Sequence, residues 1–464
     1  MPNTKKLKFD ELSLSAEMQS AISDMGFSEA SPIQSEAIPH ILEGRDVIGQ
    51  AQTGTGKTGA FGIPLLEKLD PKEKFVAALV MCPTRELALQ VSLELKKFAK
   101  HKRGVHVLAV YGGEPMGKQI QGLRAGAHVV VGTPGRILDH LNRKTLVLDK
   151  IKMIVLDEAD EMLNMGFRED IETILADMPE ERQTVFFSAT MPKPILDLTR
   201  KYQRDPVLVK MKSDHLTATS IEQVYIETRE SEKVRAISSL MNFYEFKLAL
   251  VFCNMKIRVD ELVAGLQEAG IRAAGIHGDL KQNQRSDVLA AFRRGDIRML
   301  VATDVAARGL DVNDVDAVFN FDMPLDPEYY VHRVGRTGRA GKSGKAFSFV
   351  TGRNELRRLS FIERYAKIKI ERVNLPSAKE MAGKEKEKLL LRIKEIIEAG
   401  DLGLYEKAEE EFRDAGVTLH QLTLALLKIS LPGLGKKDPP AQRPMADFNS
   451  RGSYSSDSSN GSYA

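Results

Sequence analysis

Cysteine is nearly absent from this chain. Cys82 and Cys253 are the only two in 464 residues, and each closes an apolar run, Leu79-Val80-Met81-Cys82 and Leu250-Val251-Phe252-Cys253. With no Cys or His nearby, the two form neither a zinc site nor a disulfide framework. They fit small buried strand residues in a reducing cytosol. Net charge is almost missing too: 67 Lys and Arg oppose 64 Asp and Glu, leaving +3. That excludes a whole-surface electrostatic grip on nucleic acid, so any polyanion site must be a local arrangement of Arg and Lys. No apolar run reaches the ~18 residues of a membrane span. The polar, lysine-bearing residues 1–10 contain no apolar signal core. A cytoplasmic protein without a membrane partner is expected.

What is present is a repeated alternation of β-rich runs and amphipathic stretches, the pattern of mostly parallel sheets covered by helices. The first round spans 1–210, with strands predicted at 47–50, 77–82, 105–111, 127–131, 153–157 and 184–188 and helices such as 57–69, 85–100 and 192–201. Several of these strands are wholly apolar, as burial on both faces requires. A polar stretch, 211–219, reads as a linker. A second α/β round spans 220–376, with strands predicted near 222–228, 249–252, 273–277, 299–303, 317–321 and 346–350. From 379 to 431 the texture becomes all-helical: Leu389, Ile393, Ile396 and Ile397 form a helical stripe, and further helices are predicted at 404–414 and 419–431. The Gly-, Pro-, Ser- and Asn-rich remainder, 432–464, reads as disordered.

Chemistry concentrates first after residue 50. Ala51-Gln52-Thr53-Gly54-Thr55-Gly56-Lys57-Thr58 places a glycine-rich turn between a strand and a helix N-terminus. Such a turn aims backbone N–H groups at phosphates, with Lys57 in reach of the β and γ oxygens and Thr58 able to ligate Mg²⁺. Ala51 stands where the general pattern has Gly, which is tolerable if its φ is negative. Later, Met153-Ile154-Val155-Leu156-Asp157-Glu158-Ala159-Asp160 is an apolar strand ending in carboxylates. Asp157 suits a Mg²⁺ held through its water shell, and Glu158 suits polarisation of an attacking water. Alone these carboxylates read equally well as solvated turn residues.

The tetrapeptide Asp157-Glu158-Ala159-Asp160 resembles the signature of DEAD-box RNA helicases of superfamily 2, and the resemblance extends over roughly 1–375. Further motifs stand in family order: Phe9, then Gly26-Phe27 with Pro32-Ile33-Gln34; Pro83-Thr84-Arg85-Glu86-Leu87-Ala88; Gly112-Gly113; Thr133-Pro134-Gly135-Arg136; and Ser188-Ala189-Thr190. The second half carries Val251-Phe252-Cys253-Asn254, His277-Gly278-Asp279 with Gln282 and Arg285, Thr303-Asp304 through Arg308-Gly309 to Asp311, and His332-Arg333 through Gly335-Arg336 and Gly338-Arg339. The resemblance implies two tandem RecA-like domains, followed here by a small all-α appendage and a tail.

It also implies roles. ATP and Mg²⁺ are the expected cofactors. Gln34 would read the adenine edge, having a donor and an acceptor together. Phe27 would sit beside the base and Phe9 over it, with core packing as the alternative for Phe9, Phe27 and Ile33. Gln52 through Thr58 would hold the phosphates and Asp311 the ribose. Arg336 and Arg339 resemble arginines that reach the γ-phosphate from the other domain, such fingers being worth ~10³–10⁵ in rate. His332 belongs to the same catalytic motif. Ser188 and Thr190 would link the ATP site to domain closure, or else cap the following helix. Thr84, Arg85, Gly112, Gly113, Thr133 and Arg136 match RNA contacts of the first domain, and Asn254, Arg285 and Thr303 those of the second. These are Gly, Thr and Arg rather than aromatics, so sugar–phosphate contact without base readout is expected.

The activity implied is RNA-stimulated ATP hydrolysis that closes two domains on one strand and displaces its partner locally. An ATP-gated RNA clamp and a DNA-directed translocase are the competing readings. The appendage resembles the region after the core in cold-shock-type bacterial members, where it can dimerise. Packing among its own helices and a homodimer interface through 379–431 remain equal alternatives. The tail is a flexible tether or a weak RNA contact.

Overall fold

In this computed structural model residues 7–51, 54–211, 220–307, 312, 315–338, 343–400, 402–431 and 434 are described. The expected site residues Gln52, Thr53, Asp311 and Arg339, the linker from 212 to 219 and nearly all of the expected tail lie outside them. Contacts divide the chain into two compact units, one of residues 1–225 and 247–371, the other of 226–246 and 372–464. The boundaries expected at 210, 220 and 376 divide the chain differently.

The first sheet contains β1 (Val47–Gln50), β2 (Ala78–Met81), β3 (Val107–Val110), β4 (Val129–Gly132), β5 (Met153–Leu156), β6 (Gln183–Ser188) and β7 (Val207–Lys210). Their order is β3-β4-β2-β5-β6-β1-β7, with every pair parallel. β2, β4, β5 and β6 are buried throughout, which explains the unbroken apolar runs of β2 and β5 and the apolar centre of β6. The second sheet contains β8 (Ile221–Glu227), β9 (Ala249–Cys253), β10 (Ala273–Ile276), β11 (Met299–Thr303), β12 (Ala317–Asn320), β13 (Gly344–Val350) and β14 (Glu371–Arg372), ordered β10-β11-β9-β12-β13-β8-β14. The run from β10 to β13 is parallel. Both are doubly wound sheets, as the alternation predicts, and the free thiols are buried, Cys82 just past β2 and Cys253 at the end of β9.

This order decides where chemistry can gather, because ligands of such sheets bind beyond the carboxyl ends of the strands. β5, β6 and β1 are neighbours, so the phosphate loop, Asp157 and Ser188 share one stretch of that edge. β3, β4 and β2 are neighbours as well, which brings Gly112, Thr133 and Thr84 together on the adjoining stretch.

In the second unit the helix Ala378–Ala399 starts with a capping box: Ser377 Oγ accepts from Glu380 N, and the Glu380 carboxylate accepts from Ser377 N. Lys384 Nζ lies 4.6 Å from the centre of the Phe243 ring and donates to the Phe243 carbonyl. Beyond this anchor the apolar stripe is bare. Ile393, Ile396, Ile397, Leu426 and Ile429 are exposed, and none of the described side chains of Gly403–Asp414 or Leu419–Ser430 is buried. The helices Gly403–Asp414 and Leu419–Ser430 touch each other, but that contact buries none of their described side chains. No helix among the described residues is long and apolar enough to cross a membrane.

Candidate functional site

The phosphate loop turns through Gly54 and Gly56, at φ +82° and +92°, into the N-terminus of the helix Lys57–Glu67. Gly56 is required twice over. Its φ is left-handed, and a Cβ there would lie 2.7 Å from Gln34 Nε2 and 2.9 Å from Ser31 Oγ. These two side chains hold the loop: Ser31 Oγ donates to Thr55 O at 2.8 Å and Gln34 Nε2 to Gly56 O at 3.0 Å. Gln34 Oε1 in turn accepts from Ser31 N at 2.9 Å in the capping box of the helix Pro32–Leu42. Ser31 was not singled out from the sequence, although S-x-x-Q before an apolar helix is a legible cap signal.

Lys57 and Asp157 face each other at 3.9 Å, with only 6 % and 4 % of their side chains exposed. Neither Lys57 Nζ nor Asp157 Oδ1 has a hydrogen-bond partner. Burial pushes the Asp157 carboxyl up to about 6; Lys57 pulls it down and Glu158 pushes it further up. Buried groups of this kind are ordinarily paired. An unbonded ammonium and an unbonded carboxylate oxygen beside a left-handed glycine turn fit a polyphosphate with its Mg²⁺. Glu158 has φ +52° and ψ +51°, a strained conformation for a residue with a Cβ, at the entry to the helix Ala159–Asn164.

Asp160, the fourth letter of the motif, reaches the end of β6. Its Oδ2 accepts from Ala189 N (3.1 Å), Thr190 N (2.8 Å) and Thr190 Oγ1 (2.8 Å). Ser188 Oγ donates to Thr190 O at 2.6 Å. Neither hydroxyl caps the helix Lys193–Tyr202, whose cap is Pro192. The capping alternative thus falls, and the carboxylate strand is tied to the Ser188–Thr190 turn. His332 Nδ1 stands 3.2 Å from Glu161 Oε1, joining the helix Pro327–Val334 to the helix Ala159–Asn164. Arg336, just past that helix, is buried. Phe9 and Ile33 are in the core of the first sheet, whereas Phe27 is 46 % exposed.

The expected RNA contacts gather on the adjoining stretch of the edge. Thr84, Arg85, Thr133 and Arg136 line a cleft of about 480 Å³ together with Gln282 and Arg285. Thr84 caps the helix Arg85–Phe98, its Oγ1 accepting from Leu87 N. Thr133 caps the helix Pro134–Asn142 through its backbone alone, with no side-chain cap bond. The Arg85 guanidinium lies against Gly113, where a Cβ would come within 2.5 Å of it, and donates to Gln282 Oε1 at 3.3 Å. Arg285 pairs with Glu86 at 2.6 Å and donates to Ala306 O. Thr303 Oγ1 accepts from Ala306 N. Asn254 is engaged at both ends of its amide, donating to Met323 O and accepting from Arg333.

The family model for the DEAD/DEAH box helicase matches residues 31–198, and that for the helicase conserved C-terminal domain matches 232–341. A DEAD-box ATP-dependent RNA helicase CshA from Geobacillus kaustophilus is 52 % identical over 403 residues, 87 % of this chain and 86 % of that protein. Its namesake from Bacillus subtilis is 46 % identical over 405 residues, 87 % and 82 % of the two chains. Among solved structures, S. cerevisiae Dbp5 bound to RNA and ADP BeF3 is 32 % identical, with a TM-score of 0.74 over 83 % of this chain and 99 % of that one. A phosphate loop facing a buried carboxylate, the carboxylate strand tied to the Ser188–Thr190 turn, and relatives of this identity along most of their length together place the chain in the DEAD-box family of ATP-dependent RNA helicases.

Proposed function

We propose that this helicase couples RNA-stimulated ATP hydrolysis to closure of its two sheets on a single RNA strand, displacing a paired strand locally rather than by long tracking. The observation that carries this reading is the Lys57–Asp157 pair, buried and unbonded at the facing atoms, one Asp160 hydrogen-bond network away from the Ser188–Thr190 turn. Lys57 and the loop N–H groups bind the phosphates, and Ser31 and Gln34 keep that loop in shape. Glu158 orients the attacking water. Thr58 and Asp157 would hold Mg²⁺, which when bound supplies charge neutralisation on the phosphates. Arg336 and Arg339 meet the terminal phosphate from the second sheet on closure, and Asp311 the ribose. The Glu161–His332 pair supports a closure surface beside the ATP site.

Arg85, Thr133, Arg136 and Arg285 grip phosphates, and Gly112 and Gly113 let the backbone approach. The Dbp5 structure with RNA supports RNA as the partner. Asn254 acts by holding the second-sheet edge, since its amide is committed to the fold. ATP and RNA each favour the closed arrangement, so each tightens the other's binding reciprocally. The bare apolar stripe of the appendage supports a homodimer through 379–431.

The test is ATP turnover titrated with single-stranded RNA and with DNA of the same sequence, beside displacement of short and long RNA duplexes. Stimulation by RNA alone, with short duplexes displaced and long ones left intact, is expected. Equal stimulation by DNA refutes the reading.

A further inference from the structure

One buried amide joins the two backbone segments that line the proposed RNA path on the first sheet. Gln119, on the helix Met116–Arg124, is 1 % exposed and has all its polar capacity in use. Its Nε2 donates to Tyr111 O at 2.9 Å and lies 3.4 Å from Glu114 Oε2. Its Oε1 accepts from Arg136 Nη1 at 3.1 Å and from His140 Nε2 at 2.9 Å. The amide orientation follows from chemistry, because a carbonyl can only accept and a guanidinium can only donate. Tyr111 and Glu114 flank Gly112-Gly113, while Arg136 and His140 belong to the helix Pro134–Asn142, which Thr133 opens.

His140 completes the brace. It is fully buried, with Nδ1 2.7 Å from Thr145 Oγ1. Burial and the Arg136 charge hold its imidazole below the ordinary histidine range, so the neutral ring donates through Nε2. Arg136 Nη1 also donates to Glu114 O at 3.1 Å. The guanidinium is thus held from behind by the Glu114 carbonyl and Gln119, besides an ion pair at 3.8 Å with Asp139, which lines the cleft.

We infer that Gln119 is a positioning residue for RNA binding, fixing the spacing between the Gly112-Gly113 turn and Arg136. This rests on the proposal that both segments grip RNA. Backbone phosphates repeat at a fixed interval, so two grips work together only at a set separation.

The test uses the full chain and single-stranded oligoadenylate, with ATP turnover and direct RNA binding as readouts. Gln119→Met keeps the volume and removes the four contacts. Expected is a rise of about tenfold in the RNA concentration for half-maximal stimulation, with KM for ATP moving less than about twofold. Arg136→Ala alone should raise it comparably, and the double variant should be no worse than Arg136→Ala. Effects that multiply, or an Arg136→Ala defect without a Gln119→Met defect, overturn the inference. An unaltered Arg136→Ala instead overturns the assignment of Arg136 to RNA. Should Gln119→Met not fold, Gln119→Glu sets a carboxylate against Glu114 and the Tyr111 carbonyl. It should weaken RNA binding, and adding Glu114→Gln should restore it; absence of that rescue counts against the brace.

Discussion

Lys57 and Arg333 are both buried cations at the carboxyl edge of a parallel sheet, yet their surroundings are opposite. Arg333 is 1 % exposed and saturated: it meets Asp304 at 2.6 and 2.7 Å, Asn320 Oδ1 at 3.3 Å, Asp322 O at 2.7 Å and Asn254 Oδ1 at 2.9 Å, with the Phe252 ring 5.1 Å away. Lys57 has a single carboxylate at 3.9 Å and no hydrogen bond. A guanidinium with its donors met by its own chain holds the fold together; it ties β9, β11 and β12 at their carboxyl ends. An ammonium buried beside unbonded acceptors is preorganised for an external anion, and the fold tolerates it for that purpose.

The contrast can be broken most sharply by Lys57→Ala. ATP turnover should fall by about 10³-fold or more, while the urea midpoint falls only modestly, since an ammonium without hydrogen bonds is removed but Asp157 is left buried without its counter-charge. A large loss of stability would show that Lys57 is structural after all. Arg333→Ala should do the reverse, costing about 3–5 kcal/mol of stability by leaving half-buried Asp304 without its partner and buried Asn320 and the Asp322 carbonyl without their donor. A variant with full stability and no activity would move Arg333 into the site.

Asp160→Asn tests the link between the carboxylate strand and the Ser188–Thr190 turn. The amide keeps its shape but offers fewer lone pairs to three converging donors. RNA-stimulated turnover should drop by roughly 10–100-fold, with ATP affinity changing little. The smallest effect on chemistry is expected from removing residues after Pro376: core ATPase should stay within about twofold, while the mass measured in solution falls from dimer to monomer. An unchanged mass would remove the homodimer proposal.

How legible this was depends on the residue. β1 was predicted with its observed limits, and β2 through β6 to within a few residues, because buried strands must be apolar and loops must not. β7 and β14 were missed. β7 is a half-exposed edge strand whose existence depends on β1 as a template, and β14 has two residues. The first appendage helix starts at Ala378, ahead of the apolar stripe, because Ser377 and Glu380 cap it there. Phe27 is about half exposed rather than packed, which propensity could not tell. Gln119 and His140 carried no signal of their own, and Arg333 stood out only as a letter of its motif: the bracing role of each exists once the fold surrounds it.

The order of residues alone determined two doubly wound sheets, the phosphate turn and the carboxylate strand, since periodicity, glycine geometry and a strand-end acid are local properties of the chain. Only the tertiary structure decided which polar groups are satisfied. Whether a buried Lys, Arg or Gln is a brace or a binding group depends on acceptors contributed from distant segments, and burial makes each missing or added hydrogen bond count.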